Sequence, residues 1–168
     1  MPPYVVTGCV AADGPALAYN NMSAFWTDPT WILVWDRGQT REYIIEQASQ
    51  RLPLALLTDT THKRHQKVVD SETGKIVGYC RWILPDRLAG EWLDAQTPAV
   101  SAEEEHEYAK SHASADWRTR REMDALDVPA TAIKDRLTRL KEYMGEIDFL
   151  RLPLLFGLPA HVMATSRA

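Results

Sequence analysis

The chain has 168 residues, 45% hydrophobic and 25% charged, with a formal net charge of -4. That length builds one domain with a real core, and the acidic balance argues against nucleic acid as the main partner, since phosphate binding wants a basic face. Two cysteines, Cys9 and Cys80, make neither a disulfide framework nor a zinc set, and no apolar run approaches the roughly 18 residues of a membrane span.

Taken in order, Tyr4 to Val10 predicts a short first strand. Its opening lacks the basic region and long apolar run of a secretory signal, so a cytoplasmic protein that does not engage a membrane is expected. Asp13 is expected to cap a helix, with Gly14-Pro15 in its first turn, where a missing N–H costs nothing. Leu17, Ala18, Met22, Ala24 and Phe25 give that helix an apolar side. Asp28-Pro29 starts a further segment that carries Trp31 and Trp35 on adjacent helical turns, and Gly38 interrupts it. A helix is predicted from about Thr40 to Arg51, with Tyr43, Ile44 and Ala48 at helical spacing. Pro53 is expected to end it.

The stretch "KVVDSETGKIVGYCRWILP" predicts a hairpin. Lys67–Val69 and Lys75–Leu84 are rich in β-branched and aromatic residues. Between them, Asp70 to Gly74 supplies side-chain hydrogen bonds and a glycine suited to positive φ. Alternation puts Val77 and Tyr79 on one face, Gly78 and Cys80 on the other. The second strand is apolar enough to be buried on both faces with sheet neighbours on both sides. Beyond it, Ser101 and Glu104 have the spacing of a capping box. Pro129 opens a helix whose Ile133, Leu137, Leu140 and Met144 form an amphipathic stripe, and Gly145 closes it. A last strand is expected around Ile147–Leu152.

Several residues carry possible chemistry. His62 and His65 have metal-ligand spacing but no third ligand, and with Lys63, Arg64 and Lys67 beside them a solvated basic loop accounts for them better. No metal is expected. The acids of "EEEHEY" (Glu103 to Tyr108) suit either acid/base work or a solvated helix start. Cys80 needs a nearby base to be a nucleophile, and its apolar strand favours a structural thiol. Arg81 places a charge in an apolar strand, either paired or facing a cleft.

With these pieces in hand, the order resembles the first half of the GNAT (GCN5-related) N-acetyltransferases, fungal type. "VVTGCVAADGPALAYNNMSAFW" looks like that family's first strand and helix, and the hairpin like its second and third strands. The segment 101–145 looks like an insertion of extra helices before a fourth strand beginning at "EIDFL". The resemblance covers residues 4–150 of a single domain spanning 1–168. It implies an α/β (strictly α+β) fold: a mixed, mostly antiparallel sheet flanked by helices.

It also implies acetyl transfer from acetyl-CoA to an amine, here a small molecule, with Asp148 or Glu146 at the catalytic centre. Trp31, Trp35 and Arg81 would lie on the substrate side. After Leu150 the chain reads "RLPLLFGLPAHVMATSRA", without the Gly-x-Gly of the family's pyrophosphate loop. The segment 151–168 therefore reads as a divergent tail on an incomplete domain, and weak acetyl-CoA binding with little or no acetyl transfer is expected. The alternative is a non-catalytic GNAT-like protein that binds a partner, or a second copy as a homodimer, through an open sheet edge.

Overall fold

The computed structural model describes residues 3–84, 86–126, 128, 129 and 132. Its elements are β1 (Tyr4–Gly8), α1 (Gly14–Phe25), α2 (Arg41–Leu57), β2 (Lys63–Asp70), β3 (Ile76–Ile83) and α3 (Ala102–Ser114), joined by short 3-10 turns. The strands form an antiparallel sheet in the order β1-β2-β3. The mixed helix-and-sheet class is therefore as expected. The expected helix with Ile133, Leu137 and Leu140, and the fourth strand with Glu146 and Asp148, lie outside the described residues.

The hairpin forms because its turn is self-capping. Asp70 Oδ1 accepts from the backbone N–H groups of Glu72 and Thr73, and Gly74 takes φ +68. Such local bonds select the turn before any tertiary contact exists. Two expectations about the hairpin need correction. The first strand starts at Lys63 rather than Lys67, pairing Lys63 with Ile83 and His65 with Arg81. The basic stretch is therefore strand, not solvated loop. Most β3 side chains are half-buried rather than buried on both faces; among the described residues β3 pairs with β2, and the strand expected on its other side lies outside the described residues.

Register divides the sheet into two faces, because side chains alternate along a strand. His65, Lys67, Tyr79 and Arg81 share one face, to which α1 and α2 contribute the core. There Leu17, Ala18, Met22, Ile44, Ala48, Leu52 and Leu56 pack with Trp31, Trp35 and Tyr79. The Lys67 ammonium pairs with Asp13, whose carboxylate also accepts from Val10 N–H at 2.8 Å. Asp13 thus joins the start of α1 to the middle of the sheet, and its side chain makes no capping bond to α1, contrary to the expected cap.

The opposite face meets residues 89–95. Trp82 lies edge-on to Trp92 at 5.9 Å between ring centroids. Arg64 is 0% exposed and has no carboxylate partner among the described residues. Its guanidinium instead donates to the carbonyls of Glu91, Ala89, Thr60, Thr61 and Lys63. One side chain therefore ties the start of β2 to the segment lying across it.

Pro53 does not end α2, which continues to Leu57. A proline inside a helix removes one hydrogen bond and crowds the preceding turn, costing about 3 kcal/mol. Here the ring is buried where α1 begins. A Cβ on Gly14 would stand 2.6 Å from the ring carbons, so only a glycine admits this contact. Burial of the ring offsets the lost bond.

Candidate functional site

The connection from α1 to α2 is built by local polar bonds and a cluster of aromatic rings. Asp28 Oδ1 accepts from Thr30 N–H and Trp31 N–H, both at 2.8 Å, which fixes a 3-10 turn over Trp31–Val34. Trp31 follows that turn into the core and is 1% exposed. Around it stand Phe25 at 6.1 Å, Trp26 at 6.3 Å and Trp35 at 5.2 Å between ring centroids. Tilted and edge-on rings at these separations attract beyond the area they bury. Trp35 is extended, not helical, so the expectation of two tryptophans on adjacent helical turns is corrected. Its neighbours are set by a backbone bridge to Thr119.

That bridge brings in the chain that follows α3. Arg120 N–H donates to Val34 O at 2.8 Å, and Arg120 Nε donates to Leu33 O at 2.7 Å. The same segment is anchored on α2: Tyr43 Oη donates to Asp116 Oδ2 at 2.7 Å, and Gln47 Oε1 accepts from Asp116 N–H at 2.7 Å. The Trp117 ring stacks edge-on against Trp35 at 4.8 Å, while the Arg51 guanidinium lies 4.9 Å over its face. Three stretches far apart in sequence therefore meet at one place.

Beside this junction the α1–α2 connection and Arg120 line an open cleft of about 300 Å³, formed by Trp26, Ile32, Leu33, Trp35, Asp36, residues 37–39 and Arg120. That volume lies at the lower end of the range for small-ligand sites. Gly38 sits at the rim with φ +88, where a side chain would strain the backbone. Thr40 then accepts from Tyr43 N–H at 3.2 Å and caps α2. The cavity thus combines an apolar aromatic wall with one carboxylate and two guanidinium groups.

Of the residues expected on the substrate side, Trp35 lines this cavity, Trp31 supports it from the core, and Arg81 is not among its lining residues. Arg81 lies half-buried on β3, where burial works against its charge. Asp148 and Glu146 lie outside the described residues. Sequence reading missed Asp36 and Arg120. Asp36 carries a weak signal, a lone acid between an aromatic run and Gly38, whereas nothing local points to Arg120.

The remaining reactive groups are structural. Burial pushes the Cys80 thiol up to about 11 and the Cys9 thiol up to about 12, so neither supplies thiolate near neutrality. His65, expected in a loop, is 2% exposed, and its Nδ1 lies 2.8 Å from Tyr79 Oη. Burial first, then the nearby Arg81 and Lys63 charges, lower its pKa to about 3. It is a neutral core imidazole. His62 is different, flanked by Asp59 Oδ1 at 2.9 Å and Asp86 Oδ1 at 3.1 Å. Its hydrogen bond to Asp59 raises its pKa. The two histidines therefore do not converge, and among the described residues no group of three or more His, Cys, Asp and Glu is arranged for a metal. No described helix is long and apolar enough to cross a membrane.

Glu103, Glu104 and Glu105 sit in the first turn of α3, which buries none of its residues. Ser101 and Glu104 form the expected reciprocal cap, with Ser101 N–H donating to Glu104 Oε2 at 3.0 Å and Glu104 N–H to Ser101 Oγ at 3.2 Å. Helix capping accounts for this acidic run. No protein-family model matches the chain, and no curated protein or solved structure matches it either.

Proposed function

We propose that this chain carries the acceptor side of a GNAT-like N-acetyltransferase, taking a small-molecule amine as acceptor and acetyl-CoA as donor. The observation that carries the reading is the cavity of about 300 Å³ at the α1–α2 connection, with Trp26 and Trp35 as its wall and Asp36 at its edge. An aromatic face and a carboxylate are the groups that attract an alkylammonium, by cation–π and charge-assisted contacts. The cavity's size favours a small amine over a folded partner. The order β1, α1, α2, β2, β3 with an antiparallel β1-β2-β3 sheet also agrees with the arrangement implied by the resemblance.

Transfer by direct attack needs the amine neutral at the reacting moment, so a general base must take its proton. Asp148 and Glu146 are the proposed candidates for that role. Asp36 would hold and orient the incoming cation. The tail 151–168 has no Gly-x-Gly to offer clustered backbone donors to phosphates, so donor affinity is expected to be weak and acceptor binding is the more direct test.

Titration with hexylamine, followed through the indole N–H resonances of Trp26 and Trp35, provides it. Saturable shifts at these two indoles, weakened in Asp36→Asn, are expected. Shifts absent from both, or unchanged in the variant, would refute the reading. A second reading draws on the sheet edge: among the described residues β3 pairs only with β2. On that reading the protein self-associates through β3. Light scattering would then show a dimer that forms with rising protein concentration, and a monomer throughout would exclude it.

A further inference from the structure

The cavity carries more charge than an amine alone would use. Its lining holds one carboxylate, Asp36, and two guanidinium groups, Arg37 and Arg120. Among the described residues neither arginine forms an ion pair. Arg37 is exposed with no carboxylate partner among the described residues, and Arg120 spends its Nε on the Leu33 carbonyl. The bond from Arg120 Nε, with its backbone bond to Val34 O, fixes the arginine at the cavity while leaving the terminal nitrogens free of acceptors among the described residues. Arg118, close enough to feel Asp36, is by contrast already paired with Asp116 at 2.6 Å. An amine alone would meet two repelling cations for each attracting anion. An acid group beside the amine removes that conflict.

We infer that the acceptor is an amine that also bears an acid group, an ω-amino acid or similar zwitterion, with Asp36 facing the ammonium and Arg120 taking the carboxylate. This rests on the acceptor reading of the same cavity and narrows it. A planar guanidinium held at its Nε presents its terminal N–H groups in the geometry that suits a carboxylate. Arg37, an exposed lining residue, adds long-range attraction for the same charge. The apolar wall of Trp26, Ile32 and Trp35 covers the methylene chain between the two ends. Size agrees: the cavity is too small for a peptide segment of many residues but admits a short amino acid.

The test compares 6-aminohexanoate with its two halves, hexylamine and hexanoate, in the full chain, by the same indole titration. The inference expects 6-aminohexanoate to bind about tenfold more tightly than hexylamine, a gain of about 1.4 kcal/mol. Arg120→Gln should erase that advantage while Arg120→Lys keeps part of it, and Arg37→Gln should reduce it without touching the Leu33 contact. Equal binding of hexylamine and 6-aminohexanoate would overturn the inference and leave the amine-acceptor reading standing. Equal binding of hexanoate and 6-aminohexanoate would show an anion site and overturn both. The ligand comparison needs no variant, so a poorly folding Arg120→Gln protein does not blunt it.

Discussion

Arg64 is where a single substitution should separate this fold from any reading of its sequence. Its guanidinium is fully buried and donates to five backbone carbonyls, those of Thr60, Thr61, Lys63, Ala89 and Glu91. Replacing a buried ion pair with hydrophobes is often neutral, because both charges leave together. That escape is closed here, since the acceptors belong to the backbone and stay behind. Each carbonyl left dry costs about 1–3 kcal/mol unless water or a small shift re-satisfies it. Those of Thr60 to Lys63 lie at a chain reversal beside solvent-exposed residues and should find water. The Ala89 and Glu91 carbonyls lose the link that holds their segment to the sheet. Arg64→Met, which keeps the length of the stem, leaves those two carbonyls dry and is therefore expected to cost about 2–6 kcal/mol, against a total stability of about 5–15 kcal/mol. Urea denaturation followed by circular dichroism measures the loss, and hydrogen exchange should show residues 89–95 opening first. Arg64→Lys should recover only part, because one ammonium cannot reach carbonyls on both sides. A loss below about 1 kcal/mol, with exchange at 89–95 unchanged, would refute the reasoning.

Three further outcomes follow from particular contacts. His65 is neutral in the fold, with its pKa lowered to about 3 against an unfolded value of 6.5. Between those pH values the unfolded chain binds the extra proton, so stability should fall with acidification by up to about 1.4 kcal/mol per pH unit. His65→Gln, which can still bond Tyr79, should flatten that slope in urea midpoints taken from pH 7 to pH 4, and an unchanged slope would contradict the burial. Gly14→Ala sets a Cβ 2.6 Å from the Pro53 ring carbons and should destabilise by about 1–3 kcal/mol, where a helix-propensity argument alone expects a gain. Leu17→Ala removes a fully buried side chain between α1 and the core and should cost about 2–5 kcal/mol in the same melts.

Local signals were the legible part of the chain. The hairpin turn, the start of α1 at Gly14 and the Ser101–Glu104 cap depend on residues within four positions of one another, and all three form. The stretch from Lys63 to Gln66 failed as a reading because its polarity describes the unfolded chain's preference for water. Its burial is decided by the carbonyls of residues 89 and 91, which no local pattern announces. Pro53 misled for the same reason: the proline's cost is local, whereas the compensating contact comes from Gly14, on another helix. In the candidate site, Trp35 was expected on the substrate side through the family resemblance, but on a helical turn, whereas it is extended. Arg120 was not, since 84 positions separate it from Asp36 and a backbone bridge at Trp35 and Thr119 brings them together. Asp148 and Glu146 carry the proposed proton transfer and lie outside the described residues, so their test is chemical.

The most direct test of the acyltransferase account is product formation. The full chain is incubated with an amine acceptor and millimolar acetyl-CoA, a donor concentration high enough to offset weak binding, and the N-acetylated amine is followed by mass spectrometry. Because the tail binds the donor weakly, little product is expected at low donor; at this concentration the account predicts slow product that Asp36→Asn lowers about tenfold, toward background, the loss of one charge-assisted contact of about 1.4 kcal/mol. Product no faster than background, or product indifferent to Asp36→Asn, would contradict it.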